Sequence, residues 1–172
     1  MSVSRKSVRL AKINLEAEGY LELDQPKLAL KALERIGELV DFDDRALLLM
    51  GYALHLDGRF LEALDPLEVV VRINHENLPA WFALGWCYKR VGRVDLAAHA
   101  LENACRVAPL NALVHYNLAC YLSLLGQKSR CVFHLSRALA LDPERREHLF
   151  DEPDFRPMRD EESFLALTSV IV

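Results

Sequence analysis

A residue pattern that returns every 34 positions constrains this 172-residue chain more than any other feature. A shift of 34 carries Gly92 onto Gly126 in one direction and onto Gly58 in the other, and it carries Pro109 onto Pro143. Periods of this length indicate a stack of similar supersecondary pieces rather than one irregular core. The four repeats, numbered 1 to 4 in chain order, are residues 10–43, 44–77, 78–111 and 112–145.

The apolar residues of repeat 3 indicate two amphipathic helices joined by a tight turn. Trp81, Leu84 and Tyr88 recur at the three- and four-residue spacing of one helical face, and Gly92 suits the end of that helix. Pro109 then closes the second helix. The period therefore predicts helix pairs near 11–23/26–39, 44–57/60–73, 78–91/94–107 and 112–125/128–141, with a cap helix near 161–170.

Repeat 3 resembles the tetratricopeptide repeat at eight positions: Trp81, Leu84, Gly85, Tyr88, Gly92, Ala97, Ala104 and Pro109. The other repeats keep the phase with substitutions, such as His115 in place of the Trp and Asp24 in place of the turn Gly. The chain resembles bacterial-type tetratricopeptide proteins. This resemblance implies an all-α, right-handed α-solenoid. It also implies that four helix-turn-helix units are followed by a C-terminal capping helix.

The segments outside the repeats predict a tail and a cap. Residues 1–9 form a basic N-terminal tail, and residues 146–172 form a turn-rich linker followed by the cap. Phe164 and Leu167 supply the apolar face of a short helix there. A stack of repeats needs such a cap to cover its last apolar face. The closing Val170-Ile171-Val172 suits either a dimer contact or cap packing.

Composition narrows the functional classes. The 21 Lys and Arg residues against 25 Asp and Glu give a net charge of −4, which disfavours nucleic-acid binding. The chain lacks an uncharged apolar run near 18 residues, so no membrane span is expected. The four cysteines form no C-x-x-C pair, and their simplest interpretation is free thiols in a cytoplasmic protein.

No motif in the sequence predicts catalysis. The sequence contains no phosphate-binding Gly-rich loop, no H-E-x-x-H and no G-x-S-x-G, so neither an enzyme nor a bound cofactor is expected. Cys131 and His134 lie one helical turn apart and could share a metal ion, but two ligands are too few for a closed zinc site. We therefore predict no metal site.

The resemblance places a concave groove on the first helix of each repeat. Trp86 is rotated by roughly 140° from Trp81 at 100° per residue, so both cannot face the same interior. An exposed aromatic stripe favours a partner-binding surface, and the alternative is packing against neighbouring helices or against the chain's own tail. The predicted groove residues are Arg45, Leu48, Tyr52, His55, Phe82, Trp86, Lys89, Arg90 and Tyr116.

These observations predict a non-catalytic adaptor or scaffold that holds a protein or peptide segment in an aromatic groove. The alternative is a dedicated chaperone or escort for one partner protein, similar to the tetratricopeptide chaperones of type III secretion. Both functions need the same groove. They differ in the number of partners, and the sequence leaves that number and the oligomeric state open.

Overall fold

The computed structural model describes residues 5–37 and 43–168, and these residues form helices joined by short turns. No strand occurs within those ranges, so the predicted all-α fold is confirmed. None of the helices in the described residues is long and apolar enough to cross a membrane. The α-helices are α1 (Arg5–Glu22), α2 (Pro26–Glu34), α3 (Asp44–Leu56), α4 (Phe60–Ile73), α5 (Leu78–Arg90), α6 (Val94–Val107), α7 (Ala112–Leu124), α8 (Lys128–Leu141) and α9 (Glu162–Thr168), and two 3-10 helices span Pro143–His148 and Pro153–Met158.

A residue with positive φ follows the first helix of each repeat, at the same position in all four: Asp24, Gly58, Gly92 and Gly126. Asp24 holds this left-handed conformation with φ of 54°, which a short polar side chain tolerates better than most. The Gln25 amide then donates to the Tyr20 carbonyl at 2.8 Å, which satisfies the end of α1. Repeat 1 therefore keeps the turn although it lacks the glycine.

The chain divides into two compact units, an N-terminal unit (residues 1–91) and a C-terminal unit (residues 92–172). In the N-terminal unit, α1 packs with α2 and α3 with α4, and α1 contacts α3, which contacts α5. Small residues such as Ala17 and Ala63 are fully buried between the helices. At Gly51 an added Cβ would lie 2.5 Å from Cγ of the buried Leu67, so α3 and α4 pack closely here because residue 51 has no side chain.

In the C-terminal unit, α7 packs against α6 and α8, and the segment after α8 folds back over α7. Phe155 and Phe164 are fully buried there, with ring centroids 5.4 Å apart. The Ser123 hydroxyl in α7 donates a 2.7 Å hydrogen bond to the Asp154 carbonyl. The turn-rich segment is therefore packed into the core, as expected of a cap.

The helix bounds depart from the predicted ones at both ends of repeat 1. Residues 5–9, which the sequence analysis assigned to a tail, form the start of α1, and Arg9 donates to the Arg35 carbonyl just after α2. Helix α2 ends at Glu34, five residues before the predicted bound, and residues 38–42 lie outside the described part of the chain. The closing residues 169–172, with their predicted dimer or cap contact, also lie outside it.

Candidate partner-binding surface

Polar contacts join α1 to α3 and α3 to α5, the first helices of their repeats in the N-terminal unit. The Arg45 guanidinium on α3 makes two hydrogen bonds to the Glu18 carboxylate on α1, of 3.0 and 2.5 Å. The Tyr52 hydroxyl on α3 donates to the Pro79 carbonyl at the start of α5, at 3.2 Å. These contacts engage Arg45 and Tyr52 within the protein itself.

An aromatic surface patch, here called the Trp86 cluster, consists of His55, Phe60, Trp86 and Arg90. The His55 ring meets the Trp86 ring edge to face, with centroids 4.6 Å apart. The Phe60 ring lies 5.9 Å from both. These contacts gather rings from α3, α4 and α5 into one patch.

Arg90 completes the Trp86 cluster with a cation. It follows Trp86 by four residues on α5, which places both side chains on one face of the helix. Its guanidinium carbon lies 4.9 Å from the Phe60 ring centroid and 5.4 Å from that of Trp86, within the range of cation–π attraction. Trp86 nevertheless stays 44% exposed, a large fraction for a residue whose indole has three side chains against it.

The electrostatics of the Trp86 cluster favour a neutral imidazole. Burial lowers the pKa of His55, and the positive charge of Arg90 lowers it further. The Cys87 thiol lies 3.5 Å from His55 Nδ1, and burial raises the pKa of this thiol to about 11. A protonated thiol is a poor nucleophile, because the thiolate is the reactive form of cysteine.

The structure places the predicted groove residues unequally. His55, Trp86 and Arg90 meet in the Trp86 cluster, whereas Arg45 is paired with Glu18. The other predicted groove residues of the N-terminal unit are half-buried: Leu48, Tyr52, Phe82 and Lys89.

Sequence reasoning missed Phe60, because it considered only the first helix of each repeat. Phe60 is the first residue of α4, immediately after the turn at Gly58. One sequence signal could have identified Phe60. It is an aromatic residue directly after the turn, on the helix that follows one carrying aromatic groove residues.

Tyr116, the remaining predicted groove residue, belongs to the C-terminal unit. Tyr116 is 8% exposed, and its ring meets the Phe155 ring edge to face with centroids 5.6 Å apart. The Arg145 guanidinium carbon lies 5.5 Å from the Tyr116 ring centroid. The chain's own tail thus covers Tyr116. Packing against the tail was the alternative to partner binding in the sequence analysis.

The sequence pattern of the tetratricopeptide repeat family matches residues 78–109 and 112–145. The phased turns and helix pairs of the structure agree with this match. Residues 78–109 and 112–145 are tetratricopeptide repeats. The two matched segments begin at the first residues of α5 and α7, respectively.

Curated proteins with similar sequences are much longer than this chain. It is 29% identical over 153 residues to the BBSome complex member BBS4 of Bos taurus, covering 86% of this chain and 29% of that protein. It is 27% identical over 86 residues to protein bimA of Emericella nidulans, covering 50% and 11% respectively. The chain therefore spans less than a third of the length of either relative.

Solved structures of similar size share the fold. The structure of MamA from Desulfovibrio magneticus RS-1 superposes with a TM-score of 0.76 at 21% identity, covering 96% of this chain and 95% of that one. The thermophilic tetratricopeptide protein TTC0263 of Thermus thermophilus superposes with a TM-score of 0.67 at 23% identity, covering 91% and 87%. At these identities the likeness concerns the fold alone.

Proposed function

We propose that this protein is a non-catalytic interaction module, an adaptor or scaffold that holds a short segment of a partner protein on the Trp86 cluster. The observation that carries the proposal is Trp86, which is 44% exposed although side chains from three helices contact its ring. Rigid exposed aromatic residues are the commonest anchors of protein interfaces, because they bury a large area with little loss of conformational entropy. The family supports the proposal, since tetratricopeptide repeats are generally interaction modules.

The chemistry of the Trp86 cluster suggests the chemistry of the partner. Three rings offer an apolar seat for a Leu, Met or aromatic side chain, and the adjacent Arg90 guanidinium offers donors to a carboxylate. Lys89 precedes Arg90 at the end of the same helix and adds positive charge. We expect the partner segment to carry an apolar anchor with an Asp or Glu beside it.

BBS4 is named as a member of a complex, which agrees with an interaction role for the part that resembles this chain. We propose a cytoplasmic location because none of the four cysteines, all of which the structure describes, forms a disulfide, and thiols persist in a reducing compartment. We propose that it works there through protein contacts rather than through nucleic acid.

A peptide selection tests the binding site with no need to identify the natural partner first. A displayed library of short random peptides is selected on the purified protein, and a recovered peptide is titrated by fluorescence anisotropy. Trp86→Ala should weaken its binding by at least 30-fold, which corresponds to the roughly 2 kcal/mol of an anchor residue. The matched control is Leu15→Ala, which truncates an apolar side chain of the N-terminal unit that is 67% exposed and lies on α1.

Equal affinity of the wild type and Trp86→Ala, with both folded by circular dichroism, would refute the Trp86 cluster as the binding site. Recovery of many unrelated sequences with a shared apolar–acidic pattern would favour an adaptor. Recovery of one narrow consensus would favour the dedicated chaperone or escort. Intrinsic fluorescence adds a direct readout, because Trp81→Phe leaves Trp86 as the sole tryptophan of the chain.

A further inference from the structure

Three helices of the C-terminal unit bring one thiol and two imidazoles together. Cys105 on α6, His115 on α7 and His134 on α8 each offer one ligand atom, and these atoms all lie within 4.8 Å of one another. His115 Nδ1 lies 2.9 Å from His134 Nδ1 and 3.8 Å from Cys105 Sγ. We propose that these three side chains bind one divalent transition-metal ion, for which Zn²⁺ fits the donor set best.

The orientation of His115 is fixed by a hydrogen bond on its far side. His115 Nε2 lies 3.0 Å from the Pro109 carbonyl oxygen, and because a carbonyl oxygen can only accept, Nε2 carries the proton. Nδ1 therefore presents its lone pair to Cys105 and His134. A backbone carbonyl behind a ligating imidazole is the usual outer-shell partner of a metal-bound histidine.

The repeat explains why this imidazole points the way it does. Position 4 of repeat 3 is Trp81, whose indole Nε1–H donates a 2.8 Å hydrogen bond to the His75 carbonyl six residues earlier. Position 4 of repeat 4 is His115, which makes the equivalent bond to Pro109, also six residues earlier. The substitution keeps the structural hydrogen bond and adds a second nitrogen on the opposite side of the ring.

The distances between the ligand atoms fit a tetrahedral ion with small movements. With Zn–N bonds of about 2.05 Å and Zn–S bonds of about 2.3 Å, tetrahedral angles place two nitrogens about 3.3 Å apart and a nitrogen and sulfur about 3.6 Å apart. The two imidazole nitrogens must separate by about 0.4 Å, and the thiol must approach His115 Nδ1 by about 0.2 Å. The third pair, Cys105 and His134, has its ligand atoms within 4.8 Å and must close to about 3.6 Å. Rotations of the side chains accommodate such shifts, and three protein ligands leave a fourth position for water.

The protonation and exposure of the ligands also suit a metal. Because His115 Nδ1 carries no proton, its 2.9 Å contact is a hydrogen bond from His134 Nδ1–H, and ion binding moves that proton to His134 Nε2. An incoming cation also displaces the proton of the Cys105 thiol, as zinc does in thiolate sites. Cys105 and His134 are half-buried rather than sealed, which leaves an entry path for the ion.

The sequence analysis predicted no metal site because it considered Cys131, and not Cys105, as the cysteine next to His134. Cys131 is near His134 in sequence but is fully buried and is not part of the three-residue group. Cys105 and His115 lie 29 and 19 positions before His134, respectively. Two helix packings, α6 on α7 and α7 on α8, bring them to it.

Cobalt provides a spectroscopic test. Full-length protein is treated with a chelator, dialysed and titrated with Co²⁺, and Zn²⁺ is then added as a competitor. We expect one Co²⁺ per chain, a thiolate-to-cobalt charge-transfer band in the near ultraviolet, visible bands of tetrahedral intensity, and loss of all of them on addition of Zn²⁺. Cys105→Ser should abolish the charge-transfer band, and His134→Gln should weaken Co²⁺ binding by at least about 100-fold, the upper end of what outer-shell changes do.

Matched controls separate the site from adventitious binding. His99→Gln changes an exposed histidine on α6, and Cys131→Ser changes a cysteine on α8 outside the group, so both should bind as the wild type does. The proposal is overturned if the wild type shows no charge-transfer band at stoichiometric Co²⁺, or if Cys105→Ser keeps the band. It is equally overturned if binding exceeds one equivalent and is unchanged in His134→Gln. If Cys105→Ser fails to fold, the wild-type band and the His134→Gln titration still decide.

Discussion

Replacing Gly51 by alanine tests the close packing of α3 on α4 with the smallest possible perturbation. The added Cβ would lie 2.5 Å from both Cγ and Cδ2 of Leu67, whereas carbon atoms in contact are about 3.5–4.0 Å apart. Leu67 is fully buried, so it can move only by displacing other core side chains or by pushing the two helices apart. The same change at Gly19 on α1 is the control, because a Cβ there meets no other described atom within 4 Å.

The expected change in the free energy of unfolding is the difference between two opposing effects. Alanine stabilises a helix by about 1 kcal/mol relative to glycine, and this gain applies at both sites. Forcing a methyl group into a packed core costs about 1–3 kcal/mol, and this applies at Gly51 alone. Repeat 1 has Ala17 at the equivalent position, facing a core that includes the buried Leu33, so the repeat can space its helices for a methyl group. We therefore expect a packing cost in the lower half of that range, about 1–2 kcal/mol.

Chemical unfolding of the full chain, followed by circular dichroism, measures the outcome. Gly51→Ala should be less stable than Gly19→Ala by about 1–2 kcal/mol, or by several degrees in Tm for a chain of this size. A second substitution, Leu67→Val, removes one of the crowding carbons and should recover part of the loss in Gly51→Ala. If Gly51→Ala equals or exceeds Gly19→Ala in stability, the close approach of α3 and α4 at this point is wrong.

Phe155→Ala should destabilise the protein by about 3–5 kcal/mol, because it leaves a cavity at a fully buried site against Tyr116. A loss below about 1 kcal/mol in chemical unfolding would show that the tail is not packed there. His55 has a pKa lowered by burial and by Arg90, so the unfolded chain takes up its proton first as the pH falls, and the free energy of unfolding should decrease below about pH 6.5. In His55→Gln this decrease should be shallower between about pH 7 and pH 5, and identical slopes for the two proteins would contradict the buried, neutral imidazole.

The helix pairs could be predicted from the sequence because the repeat supplies four independent copies of one local pattern. The predicted bounds of α4, α6 and α8 agree with the structure to the residue. Even the degenerate repeat 1 keeps its turn, since Asp24 adopts the left-handed conformation that the other repeats assign to glycine. The predicted end of α2 was wrong, because no repeated position marks the end of this helix. The helix ends at Glu34.

Side-chain surroundings could be predicted less well, because a helix period states which face a residue occupies but not what lies opposite. Tyr116 has the spacing of an exposed groove residue, yet Phe155 covers its ring from a segment outside the repeats. Phe60 joins the Trp86 cluster from the start of a second helix, a position that the groove pattern does not include. Both outcomes depend on contacts between residues more than 25 positions apart.

The departures from the repeat pattern, rather than the matches to it, give this chain its own chemistry. A residue that fits the pattern, such as Leu84, forms the same buried contact in any member of the family, and so it distinguishes no partner. Trp86 occupies position 9, which the pattern leaves open; repeat 2 has Tyr52 there and repeat 4 has Cys120, and Trp86 is the exposed residue of the three. His115 replaces the expected Trp and keeps its hydrogen bond while gaining a lone pair on the opposite side of the ring. Because each departure preserves the helix pair that holds it, the repeat can vary its surface and its ligand atoms without losing its fold.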